Sequence, residues 1–434
     1  MIPSSEDPLY STVYDVIVCG AGPAGVSAAI AAGRAGAKVL LVEPHNCLGG
    51  VWTSGLLSYI LDGRGKSGLM AEIRERLAAY GGVSAERDLY DAEIMKLVLD
   101  ELCEEAGVEV LLYAKLADAT VSGRVITHAI LECKEGRRTV AGRCFVDTTG
   151  DGDLAARAGC GYDLGREEDG ATQPFSLMSI ISGLPEAVTR APFANKDSAS
   201  CLNKAKFLEL LRETGYEPTY VRPSIFPLPN GFATIMVDQQ YGFSGLVSED
   251  LSRATQLARK DVAQTVEAMK RVPGWENVKL ISTAAHIGVR EGRRIHGLYR
   301  VTVEDVVTGR RHADAVAECT ASIDIHAPRR HENNGGYNSD LGHHALPFDI
   351  PLRALIARDR DNLVMAGRCI SGDFLAHASY RVTGNAVATG QAAGTAAAMA
   401  ALQGVSPAEL DPKEVLQRLP HAHLPPARSL ATVS

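Results

Sequence analysis

Residues 15–25 read Asp-Val-Ile-Val-Cys-Gly-Ala-Gly-Pro-Ala-Gly. Asp15 to Cys19 is a short apolar run rich in β-branched residues, the pattern of a buried parallel strand. Gly20, Gly22 and Gly25 follow as GxGxxG, with Pro23 and Ala24 completing the turn. Val26 to Ala35 is an Ala-rich helical stretch, and Lys38 to Val42 is a second strand ending in Glu43. Together they make a βαβ unit of about 30 residues, the context a dinucleotide site requires. Gly20 permits the tight turn. Gly22 lets a pyrophosphate approach the backbone with no Cβ in the way, and Gly25 allows close helix–strand packing. The helix N-terminus offers free N–H groups and a positive dipole end to the phosphates. Glu43, 18 residues after Gly25, is placed to accept from ribose hydroxyls. A βα turn without a ligand would not need three glycines and a strand-end carboxylate together. The uncharged run of 18 residues from Val16 to Gly33 is at the length of a membrane span. Its glycines and Pro23 fit strand, turn and helix better.

The rest of the chain bounds the answer. It has 434 residues, with 44 Lys and Arg against 52 Asp and Glu, a formal charge of −8. Hydrophobic residues at 46% and charged residues at 22% exclude wholesale disorder. At roughly 150 residues per domain, two or three domains are expected. The acidic balance argues against nucleic acid as a partner. Nine Cys are scattered with no CxxC spacing. That pattern argues against a zinc knuckle, an iron–sulfur cluster and a CxxC dithiol, and it suits a reducing cytoplasm. The first residues lack the basic and apolar regions of a signal peptide.

After Glu43 the chain continues Pro-His-Asn-Cys-Leu-Gly49-Gly50. A second glycine pair so close to the ribose acid suits a longer cofactor. Here the sequence resembles FAD-dependent oxidoreductases of the glutathione-reductase-like flavoprotein superfamily. Four later segments are similar to one family of that superfamily, itself called FAD-dependent oxidoreductase. They are Asp147-Thr-Thr-Gly-Asp-Gly-Asp153, Ile287 to Ile295, Ser322 to His326, and Ile350 to Ile356. A fifth, from Asn362 through Ala376-His377-Ala-Ser379-Tyr-Arg381 to Gly394, matches its closing segment. Leu352 stands where the family usually has Tyr, which bears on the substrate pocket. Thr383-Gly384-Asn385-Ala386 stands in place of a Met-Pro-Thr-Cys stretch.

The resemblance implies an α/β fold, with a Rossmann-like FAD-binding domain and an inserted α+β substrate (cap) domain. The expected boundaries are 13–160 and 350–403 for the FAD-binding domain, 161–349 for the cap, and 404–434 for a C-terminal helix and tail. It implies non-covalent FAD held by Gly20, Gly22, Pro23, Ala24, Gly25, Glu43, Gly49, Gly50, Thr149, Gly150, Asp151, Gly367, Arg368, Gly384 and Asn385. The helix starting near Gly384 would aim its positive end at the flavin pyrimidine. Helices are expected at 67–80, 91–105, 251–272 and 386–401, with a short one at 407–419. Residues 119–132 and 138–146 are expected to form a hairpin, and Val108 to Leu112 a strand near the adenine. Asp151 and Asp153 read as helix N-caps more than as metal ligands, and no metal is expected.

Flavin carries the redox chemistry, so the protein must supply orientation and proton transfer. His326 and His377 lie in family-like segments and are the candidate bases. Arg290 and Arg381 are the candidate clamp for a substrate carboxylate or a sugar-like group. Arg293 and Arg294 read as salt-bridge residues. His343 and His344 fall in a polar loop, where they would form a metal site only with a carboxylate such as Asp340. His45 and Cys47 are the positions at which covalent flavin attachment could occur. The expected reaction is dehydrogenation or oxidation of a CH–OH or CH–NH group on a small polar, sugar-derived substrate. O2 or a carrier would accept the electrons, and a homo-oligomer is left open. Only one convincing dinucleotide fingerprint is visible, which argues against a built-in nicotinamide domain. The alternatives are a flavin monooxygenase using external NAD(P)H and a non-catalytic FAD electron-carrier subunit.

Overall fold

A computed structural model describes residues 12–84, 88–189, 200–332 and 342–419. The quoted stretch forms β1 (Val13–Cys19) and α1 (Pro23–Arg34), followed by β2 (Val39–Val42). Then come α2 (Leu69–Ala79), α3 (Ala92–Glu105), β3 (Glu109–Leu111), β4 (Lys115–Ser122), β5 (Val125–Cys133), β6 (Gly136–Asp147) and α4 (Asp153–Arg157). β1 pairs in parallel with β2 on one side and with the second half of β6 on the other. β3 extends the sheet beyond β2. β15 (Leu363–Met365) returns from far along the chain to pair in parallel with the end of β6. The seven-stranded sheet therefore joins both ends of the sequence in one layer.

Buried parallel strands explain the apolar runs: every residue of β2 and β15 is buried. On one face of the sheet α1 packs against α10 (Thr383–Gln403) at very close range. A Cβ on Gly390 would lie 2.2 Å from the Ala24 carbonyl oxygen, and one on Gly394 would lie 2.0 Å from that of Ala28. Only glycine lets these helix backbones approach so closely.

The chain between the two halves adds β7 (Tyr162–Asp163), β8 (Ser179–Ser182), α5 (Glu186–Thr189), α6 (Lys204–Glu213), β9 (Ser224–Pro227), β10 (Ala233–Met236), α7 (Ser248–Lys270), β11 (Lys279–Thr283) and β12 (Arg294–Ile295). α8 (Val303–Thr308), β13 (Ala315–Cys319) and β14 (Phe348–Pro351) lead back to β15. β11, β8, β10 and β9 form an antiparallel sheet in that order. Its two faces serve different cores, as the period of two demands. Ile181, Ile225 and Ile235 pack under α6 and α7 with Phe207, Val262 and Trp275. Met178 and Phe226 face the other way, onto Leu56, Leu89 and Ala92 of the first part of the chain. This smaller core joins the two parts of the chain.

Several expectations need correction. Residues 119–132 are not one strand, because Gly123 adopts φ 59° and turns the chain between β4 and β5. The result is a three-stranded meander, β4–β5–β6. Asp151 and Asp153 do not cap α4. Gly152 occupies the N-cap with φ 66°, while the two carboxylates reach Arg368 and Arg293. Leu352 is buried in the main core rather than in a pocket wall. Residues 407–419 divide into a 3-10 turn at Pro407–Glu409 and α11 (Pro412–Arg418). Asp340 and the tail after Pro425 lie outside the described residues. All nine Cys are free thiols. Among the described residues no acidic, His or Cys cluster could hold a metal, and no helix is long and apolar enough to cross a membrane.

Candidate functional site

Gly20, with φ 93°, turns the chain from β1 toward α1, and a Cβ there would strike Thr148 backbone at 2.6 Å. Thr148 Oγ1 lies 2.8 Å from the Cys19 oxygen and 2.7 Å from that of Gly20, tying the turn to β6. Gly25 must be glycine for the same reason, since its Cβ would sit 1.8 Å from the Gly20 oxygen. Gly22 differs. It is the N-cap of α1 at φ −66°, and a Cβ there would meet nothing within 4 Å. Its missing side chain therefore leaves space in front of a helix N-terminus that has no side-chain cap and no acidic residue in its first turn. Such an end is short of acceptors, and a phosphate supplies them. Gly49 and Gly50, at φ 101° and 51°, lay their backbone over this loop, with Gly49 N donating to the Ala21 oxygen at 2.8 Å. Glu43 is buried, and its carboxylate accepts from Ala21 N and from the backbone and ring of His45.

The end of β6 is held by a carboxylate that the motif reading did not single out. Asp147 is fully buried and accepts from Thr149 N and Oγ1 and from Ala155 N. Burial outweighs these bonds and pushes it up to about 6. It shapes the Thr149–Gly150–Asp151 turn. Arg368, just after β15, donates to the Gly150 oxygen, to Asp151 Oδ1 and to the Val289 oxygen. One guanidinium thus joins three separate segments.

Deeper in, α9 (Phe374–Tyr380) presents His377. The ring is fully buried, and neither nitrogen makes a well-formed hydrogen bond, the Arg368 backbone being near enough for a weak one. Burial first, then the positive charges of Arg294, Arg381 and Arg368, hold it well below its ordinary value. It is therefore neutral at physiological pH. Asn385 Oδ1, at the start of α10, is a second buried atom without a partner. Unpaired buried polar atoms are rare in native proteins. With the open cradle at Gly22, they fit an extended cofactor along the C-terminal ends of β1, β6 and β15.

Arg381 follows α9 and donates to Gln173 Oε1 at 3.3 Å and to the Asp324 oxygen at 2.8 Å. Gln173 Oε1 also accepts from His326 N at 3.0 Å. His326 Nδ1 lies 2.6 Å from Gln239 Nε2, and Gln239 Oε1 accepts from Tyr241 Oη, which orients the amide. Burial and then the Arg290 charge pull His326 down to about 3, so it too is neutral. Asp324 Oδ2 stands 3.7 Å from His326 Nε2, too far for a hydrogen bond. Burial opposes its ionisation, but His326, Arg381 and Arg290 around it keep it ionised. Arg290 donates to the Pro174 oxygen and to Ser176 Oγ. The structure thus brings Arg290, His326 and Arg381 together, and Arg381 reaches toward His377.

Other predicted positions lie elsewhere or do other work. Arg294 is buried on Glu291 and on the Gly372 and Gly165 oxygens, and Arg293 holds Asp153 and the Asp151 oxygen. Gly384 N donates to the Leu61 oxygen, and a Cβ there would strike the Asp62 oxygen at 2.1 Å. That glycine admits the 61–63 backbone against the start of α10. His343 and His344 lie outside the helices and strands, among residues that are not buried. Cys47 is buried against the hydroxyls of Thr53 and Ser54. Gln173, Gln239 and Tyr241 carried no sequence signal, since a lone amide or phenol in a loop belongs to no motif.

Comparison with known proteins agrees with this geometry. The profile of the FAD dependent oxidoreductase family matches residues 15–419. The flavin-dependent brominase Bmp2 superposes with a TM-score of 0.51 at 13% identity, over 94% of this chain and 82% of that one. The myxobacterial chondrochloren halogenase CndH gives 0.51 at 12% identity, over 93% and 78%. At such identities the likeness is one of fold. Thiamine thiazole synthase of Aeropyrum pernix is 33% identical over 118 residues, which span 27% of this chain and only 43% of that protein. From the glycine cradle through the closing βα unit, the chain belongs to the FAD dependent oxidoreductase family: it is a flavoenzyme, and FAD is its cofactor.

Proposed function

We propose that the enzyme is a dehydrogenase or oxidase acting on a CH–OH (or CH–NH) group of a small polar substrate, sugar-derived compounds being the first to test. Bound FAD supplies the hydride acceptor. The observation that carries the reading is His377, a buried, neutral imidazole with no well-formed hydrogen bond, next to the group of Arg381, Gln173, Asp324 and His326. A neutral imidazole can take the hydroxyl proton on a ring nitrogen while the carbon gives up its hydrogen with two electrons. His326 has its Nδ1 engaged by Gln239, so its role is to position the site rather than to move the proton.

The same reading assigns non-covalent FAD to Gly20, Gly22, Pro23, Ala24, Gly25 and Glu43 at the nucleotide end. Gly49, Gly50, Thr149, Gly150, Asp151, Gly367, Arg368, Gly384 and Asn385 would follow along the rest of the cofactor. Two partly separate cores support the division into an FAD-binding domain, 13–160 and 350–403, and a cap, 161–349. The parallel sheet order supports placement in the glutathione-reductase-like superfamily. The free thiols are consistent with a cytoplasmic protein.

Anaerobic mixing with sugars, hydroxy acids and amines tests the reaction, read as bleaching of the visible flavin band. Bleaching by one class supports the proposal. His377→Ala should slow it by ~10²–10⁴-fold with flavin content retained. Full rates in both His377→Ala and His326→Ala would end the base assignment. Bleaching by NAD(P)H alone, with oxygen inserted into a substrate, would establish the monooxygenase reading instead.

A further inference from the structure

We propose that the substrate carries a carboxylate, bound by Arg290, Arg381 and Gln173. This deepens the dehydrogenase reading, since it names the substrate class of the same site.

The argument starts from Gln173, which is fully buried. Its Oε1 accepts from His326 N and Arg381 Nη2, so the amide cannot be turned around. Its Nε2 makes no well-formed hydrogen bond, the Glu291 carboxylate being near enough for a weak one. Arg381 Nε, on a side chain only 12% exposed, also makes none. Two neighbouring buried groups have donors to spare. A neutral polyol would bring hydroxyl hydrogens that need acceptors. A carboxylate brings only acceptors.

The charges agree. Among the described residues no carboxylate lies within ion-pair distance of Arg290, whose Nη atoms rest on neutral oxygens. Arg381 shares Asp324, at 3.8 Å, and the more distant Glu291. Asp238, also near Arg290, is pushed up by burial to about 7. Lys204 adds a third cation near Asp324. Arg290 is thus withdrawn from water without a carboxylate in direct contact, which is costly, and an anionic ligand reduces that cost. Planar carboxylate oxygens suit two guanidiniums and an amide.

The test uses the FAD-loaded enzyme. Lactate, glycolate and benzoate are titrated against lactamide and glycerol phosphate, read by perturbation of the flavin band and by thermal shift. Carboxylates should saturate and lactamide should not. Arg290→Met and Gln173→Leu should each weaken the carboxylates ~10–10²-fold with flavin content unchanged. Arg290→Lys should recover part of the loss, and it keeps the test open if Gln173→Leu does not fold. Equal binding of lactamide and lactate overturns the proposal, as does tighter binding of the phosphate ester. Loss of flavin from Gln173→Leu with unchanged carboxylate affinity also overturns it, because the free donors would then serve the cofactor. If carboxylates saturate yet no compound bleaches the flavin, the carboxylate site stands and the dehydrogenase reading fails. If neutral alcohols bleach it and carboxylates do not bind, the reverse holds.

Discussion

Arg381 donates to Gln173 across 208 residues of sequence, and that contact joins the end of α9 to the loop that enters the cap.

Gly22→Val should leave the fold intact and empty the cofactor site. Its φ of −66° suits any residue, and the new side chain would point into open space. Circular dichroism should match the parent while the purified protein is colourless. A yellow Gly22→Val protein would refute the placement of the cofactor.

Gly394→Ala should instead damage stability. Its Cβ would sit 2.0 Å from the Ala28 oxygen, so α10 would have to move off α1. Overpacking of this kind costs about 1–3 kcal/mol. A urea denaturation midpoint equal to the parent's would show that the two helices do not pack as described.

Glu291→Gln should be more harmful than its size suggests. The Arg294–Glu291 pair is 1% and 0% exposed at 2.8 Å. Removing one partner of a buried pair leaves the other charge uncompensated, at about 3–5 kcal/mol. The loss should appear in equilibrium unfolding, with little relief from added salt, because the pair is screened from solvent.

His326 predicts a pH dependence of stability. Its folded value, about 3, lies below the ordinary 6.5. The unfolded chain therefore takes up the proton first as pH falls. The contribution is complete above pH 6.5 and is lost progressively as pH falls toward the folded value. Asp238, raised to about 7, acts in the opposite direction, so parent and variant must be compared at each pH. Thermal melts from pH 7.5 to 4.5 should fall less steeply in His326→Gln than in the parent. Parallel slopes would contradict the buried neutral imidazole.

Much of the nucleotide end was legible because its constraints are local. Gly20, Gly25 and the runs around them report on one turn and one helix–strand contact, and both appear as read. The expected strand at 119–132 failed because its residues alternate well enough to hide a turn, which Gly123 makes with a positive φ. Asp151 and Asp153 misled for a different reason. Acids before a short helix read as caps, but Arg368 and Arg293, far off in sequence, draw their carboxylates away. Arg293 and Arg294 were correctly read as salt-bridge residues, although sequence could not name their partners.

The sequence by itself determined the βαβ unit, the family and the cofactor, because a backbone that must approach a pyrophosphate leaves glycines at fixed spacing. Only the tertiary structure decided which residues make up the proposed substrate site. Gln173, Arg290, Asp324, His326, His377 and Arg381 come from separate loops and one helix end. What joins them is mutual: burial that keeps two imidazoles neutral, charges that act on one another, and donors left without well-formed acceptors. Those properties belong to neighbours in space, and no spacing along the chain encodes them.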